Sequence, residues 1–196
     1  MSDQGNRLGK ALGEIEESGA DILNDIREFI RRFCAFPSEH CLTAVTLWAA
    51  HAHAIEHFYT TARLALLSPE AASGKTRVLE VLDLLVPESL FTLNASPAAI
   101  FRLLAEDQIT LLFDEVDAIF NRRGKNDDHE DLRALLNAGY KRGSSIPRCV
   151  GKNYEVQRFN VYCAVALAGL GNLPETIMSR SIIIRMRRRA PNEHVE

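Results

Sequence analysis

The segment Ser68-Pro69-Glu70-Ala71-Ala72-Ser73-Gly74-Lys75-Thr76 stands between a short apolar run and an amphipathic one, and its closing Gly-Lys-Thr suits anionic oxygen. Backbone N–H groups at a helix start converge on phosphate oxygens. Lys75 can neutralise β/γ charge there, and the Thr76 hydroxyl can ligate magnesium. The expected cradle is Pro69, Glu70, Ala71, Ala72, Ser73, Gly74, Lys75, Thr76 and Arg77, and the chemistry fits ATP or GTP, with ATP and Mg2+ the expectation. Proline stands where the G-x-x-x-x-G-K-S/T pattern has its first glycine, and Ala71 and Ala72 leave Gly74 as the loop's only glycine. Alanine disfavours positive φ, so the loop is expected to turn through ordinary dihedrals until Gly74. Taken alone, the segment can also be read as a chance Gly-Lys-Thr at a helix start.

One β-α unit later, the run Ile109-Thr110-Leu111-Leu112-Phe113 ends in Asp114-Glu115. A buried strand ending in two acids sets both carboxylates at the C-terminal edge of a sheet, where ligands of α/β proteins bind. Asp114 suits a magnesium shell. Glu115 suits the orienting and deprotonation of a water, a division of roles that belongs to nucleotide hydrolysis. An acidic turn after a strand is otherwise ordinary, and its pairing with the phosphate loop gives it meaning. Asp117 reads as a helix N-terminal acid or a further polar contact.

Such residues need a sheet edge and helix starts to hold them. Ala62 to Leu67 reads as a strand stopped by Ser68-Pro69, and Val78, Leu79, Val81, Leu82 and Leu85 keep helical spacing until Pro87. Leu90 to Leu93 is a second strand, and Ser96 to Ala105 a helix with Pro97 at its first position. Asp131 to Tyr140 is helical, and Arg148 to Val156 forms a hairpin around Gly151-Lys152-Asn153. Val161 to Leu167 and Ile182 to Met186 are further strands. Upstream, Asp21 to Phe33 has amphipathic helical spacing, and a second helix capped by Ser38 runs to near His57. The expected fold is α/β: a mostly parallel central sheet of about five strands flanked by helices. Residues 1–19 read as a flexible lead-in, 20–189 as one domain including the two leading helices (20–58), and 190–196 as a tail.

The 196 residues carry a net charge of -3 with 46% hydrophobic content, which suits a globular domain and argues against a chain that coats nucleic acid throughout. Cys34, Cys41, Cys149 and Cys163 are scattered without a C-x-x-C pair, so free thiols in a reducing cytoplasm are expected. No segment reads as an export or membrane signal. His53 and His57, with His51 nearby, could share a metal, but no acid or cysteine completes the set, and the helix end near solvent or a base suits them better. Trp48 and Phe58 read as core aromatics before base-stacking ones. Arg185, Arg187, Arg188 and Arg189, and separately Arg122, Arg123 and Lys125, form basic clusters that could meet DNA or RNA phosphates or simply face solvent.

The segments S-P-E-A-A-S-G-K-T, L-L-F-D-E-V-D, L-L-N-A-G-Y-K-R-G and L-P-E-T-I-M-S-R-S resemble an uncharacterised ATPase family of actinobacteria and their phages, helicase- or primase-like and related to the AAA+ group. The likeness covers about Ala20 to Arg189. It implies an arginine finger at Arg180 that reaches a neighbouring subunit's γ-phosphate, and hence a homo-oligomeric ring. It also implies a polar sensor after the strand through Val165 to Leu167. There Ala168-Gly169-Leu170-Gly171 offers no side chain, and Asn172 is the nearest candidate. The helical lid of many such modules is not found before Glu196, as in a truncated domain. The expected activity is ATP hydrolysis by a helicase-like or loader-like motor. Its rivals are a nucleotide-binding switch with little turnover and a small-molecule phosphotransferase.

Overall fold

The computed structural model describes residues 18–92, 96–117, 120, 127–151 and 154–196. The proposed lead-in (save its last two residues), the basic cluster Arg122-Arg123-Lys125, Leu93 and the hairpin-tip residues Lys152 and Asn153 lie outside them.

Helix α1 (Gly19–Phe33) starts two residues before the apolar periodicity does, because Ser18 and Asp21 form a capping box. Helix α2 (Glu39–His53) is capped by the Ser38 hydroxyl, which accepts from Cys41 N–H. Its Glu39 takes both Arg27 and Arg31 from α1, clipping the two helices together. A 3-10 turn (Ile55–His57) follows.

Then the sheet begins, with β1 (Arg63–Ser68), helix α3 (Lys75–Asp83), β2 (Ser89–Thr92), helix α4 (Pro97–Glu106) and β3 (Thr110–Phe113). Helix α5 (Asp127–Ala138) leads to the antiparallel hairpin of β4 (Ser145–Val150) and β5 (Glu155–Asn160). The chain returns through β6 (Ala164–Leu170), the single turn α6 (Glu175–Met178) and β7 (Ser181–Arg185). The hairpin is longer on both sides than the expected Arg148 to Val156.

The central sheet has five strands, all parallel, in the order β2-β3-β6-β1-β7. All six residues of β1 and all four of β3 are buried, as a sheet covered on both faces requires. Alternation along β1 divides the core: Leu64 and Leu66 pack with α1, α2 and α3, while Ala65 and Leu67 pack with α4, α5 and the hairpin. Trp48 belongs to the first layer, 1% exposed, with its indole N–H on Ala62 O. Phe58 departs from the core reading. It is 44% exposed and meets the His51 ring edge-on, where it closes the 3-10 turn that precedes β1. Among the described residues no helix is long and apolar enough to cross a membrane.

Candidate functional site

The strand order brings the two constellations together. β1 delivers the loop 69–74 and β3 delivers Asp114-Glu115 to the same C-terminal edge, with β6 between them. The Thr76 hydroxyl donates to Asp114 Oδ2 at 2.7 Å across 38 positions of sequence. Asp114 is 5% exposed, and its other oxygen accepts the Glu115 N–H at 2.9 Å. This buried carboxylate therefore rests on two neutral donors.

Gly74 caps α3 at φ +81°, and among the described residues no side-chain hydrogen bond caps the positive end of this nine-residue helix. Ala72 also takes positive φ, +57°. The expectation of ordinary dihedrals up to Gly74 is thus corrected: without a glycine at 69 to 73, the loop makes its first left-handed turn at alanine. Lys75 is buried, and its ammonium donates to Ser68 Oγ at 2.6 Å, Ser73 Oγ at 3.1 Å and Glu70 O at 3.4 Å. Burial lowers its pKa below the ordinary lysine value, and nearby Asp114 and Asp117 oppose that shift. Ser73, named in the expected cradle, thus holds the amine together with Ser68, which carries no signal in sequence beyond being small and polar.

Glu115 is exposed, at φ +54°. Asp117 does not serve as a bare helix acid: its Oδ1 accepts the Leu170 N–H at 2.9 Å and braces the end of β6. The same contact crowds Gly169, one of the four residues where the resemblance implied a polar sensor. A Cβ at Gly169 would lie 2.9 Å from Val116 Cγ1 and 3.1 Å from Asp117 Oδ1, so no side chain fits there. Asn172 is exposed and accepts from Arg185 at 2.9 Å.

Arg180 stands elsewhere. It immediately precedes β7, and its carbonyl accepts the N–H of Arg63 at the start of β1, which sets it on the N-terminal edge of the sheet. β1 has six residues, so a strand length of roughly 20 Å separates Arg180 from its own chain's loop. Its guanidinium lies 4.5 Å over the Tyr140 ring and reaches Thr176 O and Asn137 Oδ1. His51 and His53 are at that same far edge, away from the loop: His51 meets the Thr61 hydroxyl and His53 meets Leu85 O. The two have separate partners. Comparison with known proteins returns no match to a family model or to a curated protein.

A cavity of about 330 Å³ adjoins the loop, lined by Phe33, Ala72, Gly74, Arg77, Arg187 and Arg189. A larger one, about 520 Å³, opens at the opposite edge beside Arg142, Arg158 and Tyr162, away from Lys75, Thr76 and Asp114. The loop, not cavity size, marks the chemically equipped place.

Of the basic exit from β7, Arg187 is paired with Glu193, and Arg188 with Glu70 of the loop. No group of three His, Cys, Asp or Glu side chains among the described residues could hold a metal. Thr76 and Asp114 offer two hard oxygens. That donor set fits Mg2+, which keeps several waters and uses one or two protein oxygens together with substrate phosphates.

Proposed function

We propose that this chain binds ATP with Mg2+ at the loop 69–77 and hydrolyses it, as a P-loop domain of AAA+ type working in a ring on nucleic acid. The hydrogen bond between Thr76 and Asp114 carries the reading, because it joins two motifs that were separate inferences from sequence. Lys75 would exchange its hydroxyl and carbonyl partners for phosphate oxygens, and the α3 N-terminus would add its N–H groups. Thr76 and Asp114 would hold the magnesium ion, which when bound neutralises charge between phosphate oxygens. Glu115, exposed beside them, is the group to orient and deprotonate water. Arg180 is too far from its own chain's loop to touch a phosphate there, which favours action on a neighbour's nucleotide. Arg185 and Arg189 leave basic charge for nucleic-acid phosphates.

One observation favours a second reading, a nucleotide-binding switch with little turnover: the space at Gly169 excludes a sensor side chain, and Asn172 is bound to Arg185. Steady-state ATP turnover with and without single- and double-stranded DNA, set beside Lys75→Ala, separates the two. The motor reading expects turnover that rises with DNA and vanishes in the variant. Tight binding without turnover supports the switch, and unchanged ATP affinity in Lys75→Ala removes both.

A further inference from the structure

A phosphate loop that carries an acid has a charge problem. Glu70 stands inside the loop, its carbonyl accepts from both Ser68 and the Lys75 ammonium, and its carboxylate is only half-buried. A bound polyphosphate would meet that carboxylate as a like charge.

The chain supplies a partner from the other end of the domain. Beyond β7, Met186 N–H continues the sheet ladder onto Leu67 O at 2.7 Å, so the strand exit runs alongside the loop. Arg188 then lies with Nε 3.1 Å from Glu70 Oε2 and 3.3 Å from Ala71 O. Its neighbour Arg187 is committed to Glu193, whose carboxyl is held down at about 2 by that arginine and by the Ala190 N–H. Arg188 is therefore the cation of this exit that meets the loop acid.

Resting on the ATP-binding reading above, we propose that Arg188 is a positioning residue for the nucleotide: it neutralises Glu70 and turns its carboxylate aside, so that an acid-bearing loop can accept phosphate. The two side chains are 62% and 43% exposed, so the pair adds little to folding stability and its loss leaves the fold intact. Its influence is on ligand charge.

The test is a four-membered binding cycle with Mg-ATP by calorimetry: wild type, Arg188→Gln, Glu70→Gln and the double variant, with melting curves as controls. Arg188→Gln should weaken affinity about tenfold, less at high salt, because it uncovers a like charge near the phosphates. Arg188→Lys, which keeps the charge, should stay within about threefold of wild type. Glu70→Gln should bind at least as tightly as wild type, and the double variant should return to within about threefold of Glu70→Gln. A double variant as weak as Arg188→Gln overturns the proposal, as does an Arg188→Gln that binds like wild type. If wild type binds Mg-ATP and Lys75→Ala does not, either result removes the role of Arg188 alone. If wild type fails to bind, the phosphate-loop reading falls and this inference with it.

Discussion

Glu115 combines a left-handed backbone, φ +54°, with an exposed carboxylate beside a buried one. A glutamate in that region carries strain on the order of 1 kcal/mol, which the surrounding structure imposes, since Val116 N–H is tied to Ala168 O. Glu115→Gln keeps the side chain's shape and loses the proposed base. Mg-ATP binding should be retained while turnover falls by at least roughly a hundredfold in a single-turnover assay; a variant that hydrolyses normally would make Glu115 a structural acid. The roles proposed for Lys75, Thr76, Asp114 and Glu115 were legible in sequence because each follows from residue type at a fixed offset. The bonds of Ser68 and Ser73 to the Lys75 ammonium and of Arg188 to Glu70 were not. They depend on which atoms the folded loop brings within 3.5 Å, and a serine or surface arginine looks the same in any sequence.

At the scale of elements, most of the strands and helices were legible, since apolar runs bounded by Pro, Ser and Gly encode them directly. Ends moved where a local bond outweighed periodicity: Ser18 with Asp21 extended α1, and register pairing of Ser145 with Asn160 lengthened the hairpin. What periodicity could not reveal is the arginine at the foot of β1. Arg63 is 1% exposed, donates to Cys163 O at 2.7 Å and Leu136 O at 3.1 Å, and forms no ion pair among the described residues. It ties the Leu136 carbonyl, near the C-terminus of α5, to the Cys163 carbonyl at the entry of β6. Gly139 makes room for it, since a Cβ there would lie 3.0 Å from Arg63 Nη2 and 2.1 Å from Val161 O. Arg63→Ala should empty this space and release both carbonyls, lowering stability by about 3 kcal/mol or more in urea titration. A midpoint equal to wild type would deny the side chain that role.

For the molecule as a whole, the strand order decides what can meet what. A parallel α/β sheet follows from alternating strands and helices, but the insertion of β6 between β1 and β3 is a long-range outcome that no local window contains. The same order sends Arg180 to the edge opposite the loop. If the ring reading holds, Arg180→Ala should bind ATP normally yet barely hydrolyse it, because an arginine acting on transition-state charge contributes little to ground-state grip. Mixing Arg180→Ala with Glu115→Gln should restore part of the turnover, at interfaces where an intact Glu115 meets an intact Arg180. Mixed assemblies that form and remain inactive would deny action in trans.

The two neighbours of β1 have a consequence for how the chain is made. Leu64 pairs with Ala166 on one side and Ile182 on the other, and Arg63 finds Cys163 at a separation of 100 residues. During synthesis, the loop 69–74 and both acids emerge long before either strand that flanks β1 exists. Closing such distant pairs is slow and depends on the late segments, so the domain should assemble as one cooperative step after β7 is available. A fragment ending at residue 150 contains Lys75, Thr76, Asp114 and Glu115, yet it should show neither a cooperative melt nor Mg-ATP binding. Adding a peptide of residues 155–196 should restore both. A fragment that binds nucleotide alone would mean that the loop needs less of the sheet than its pairing implies.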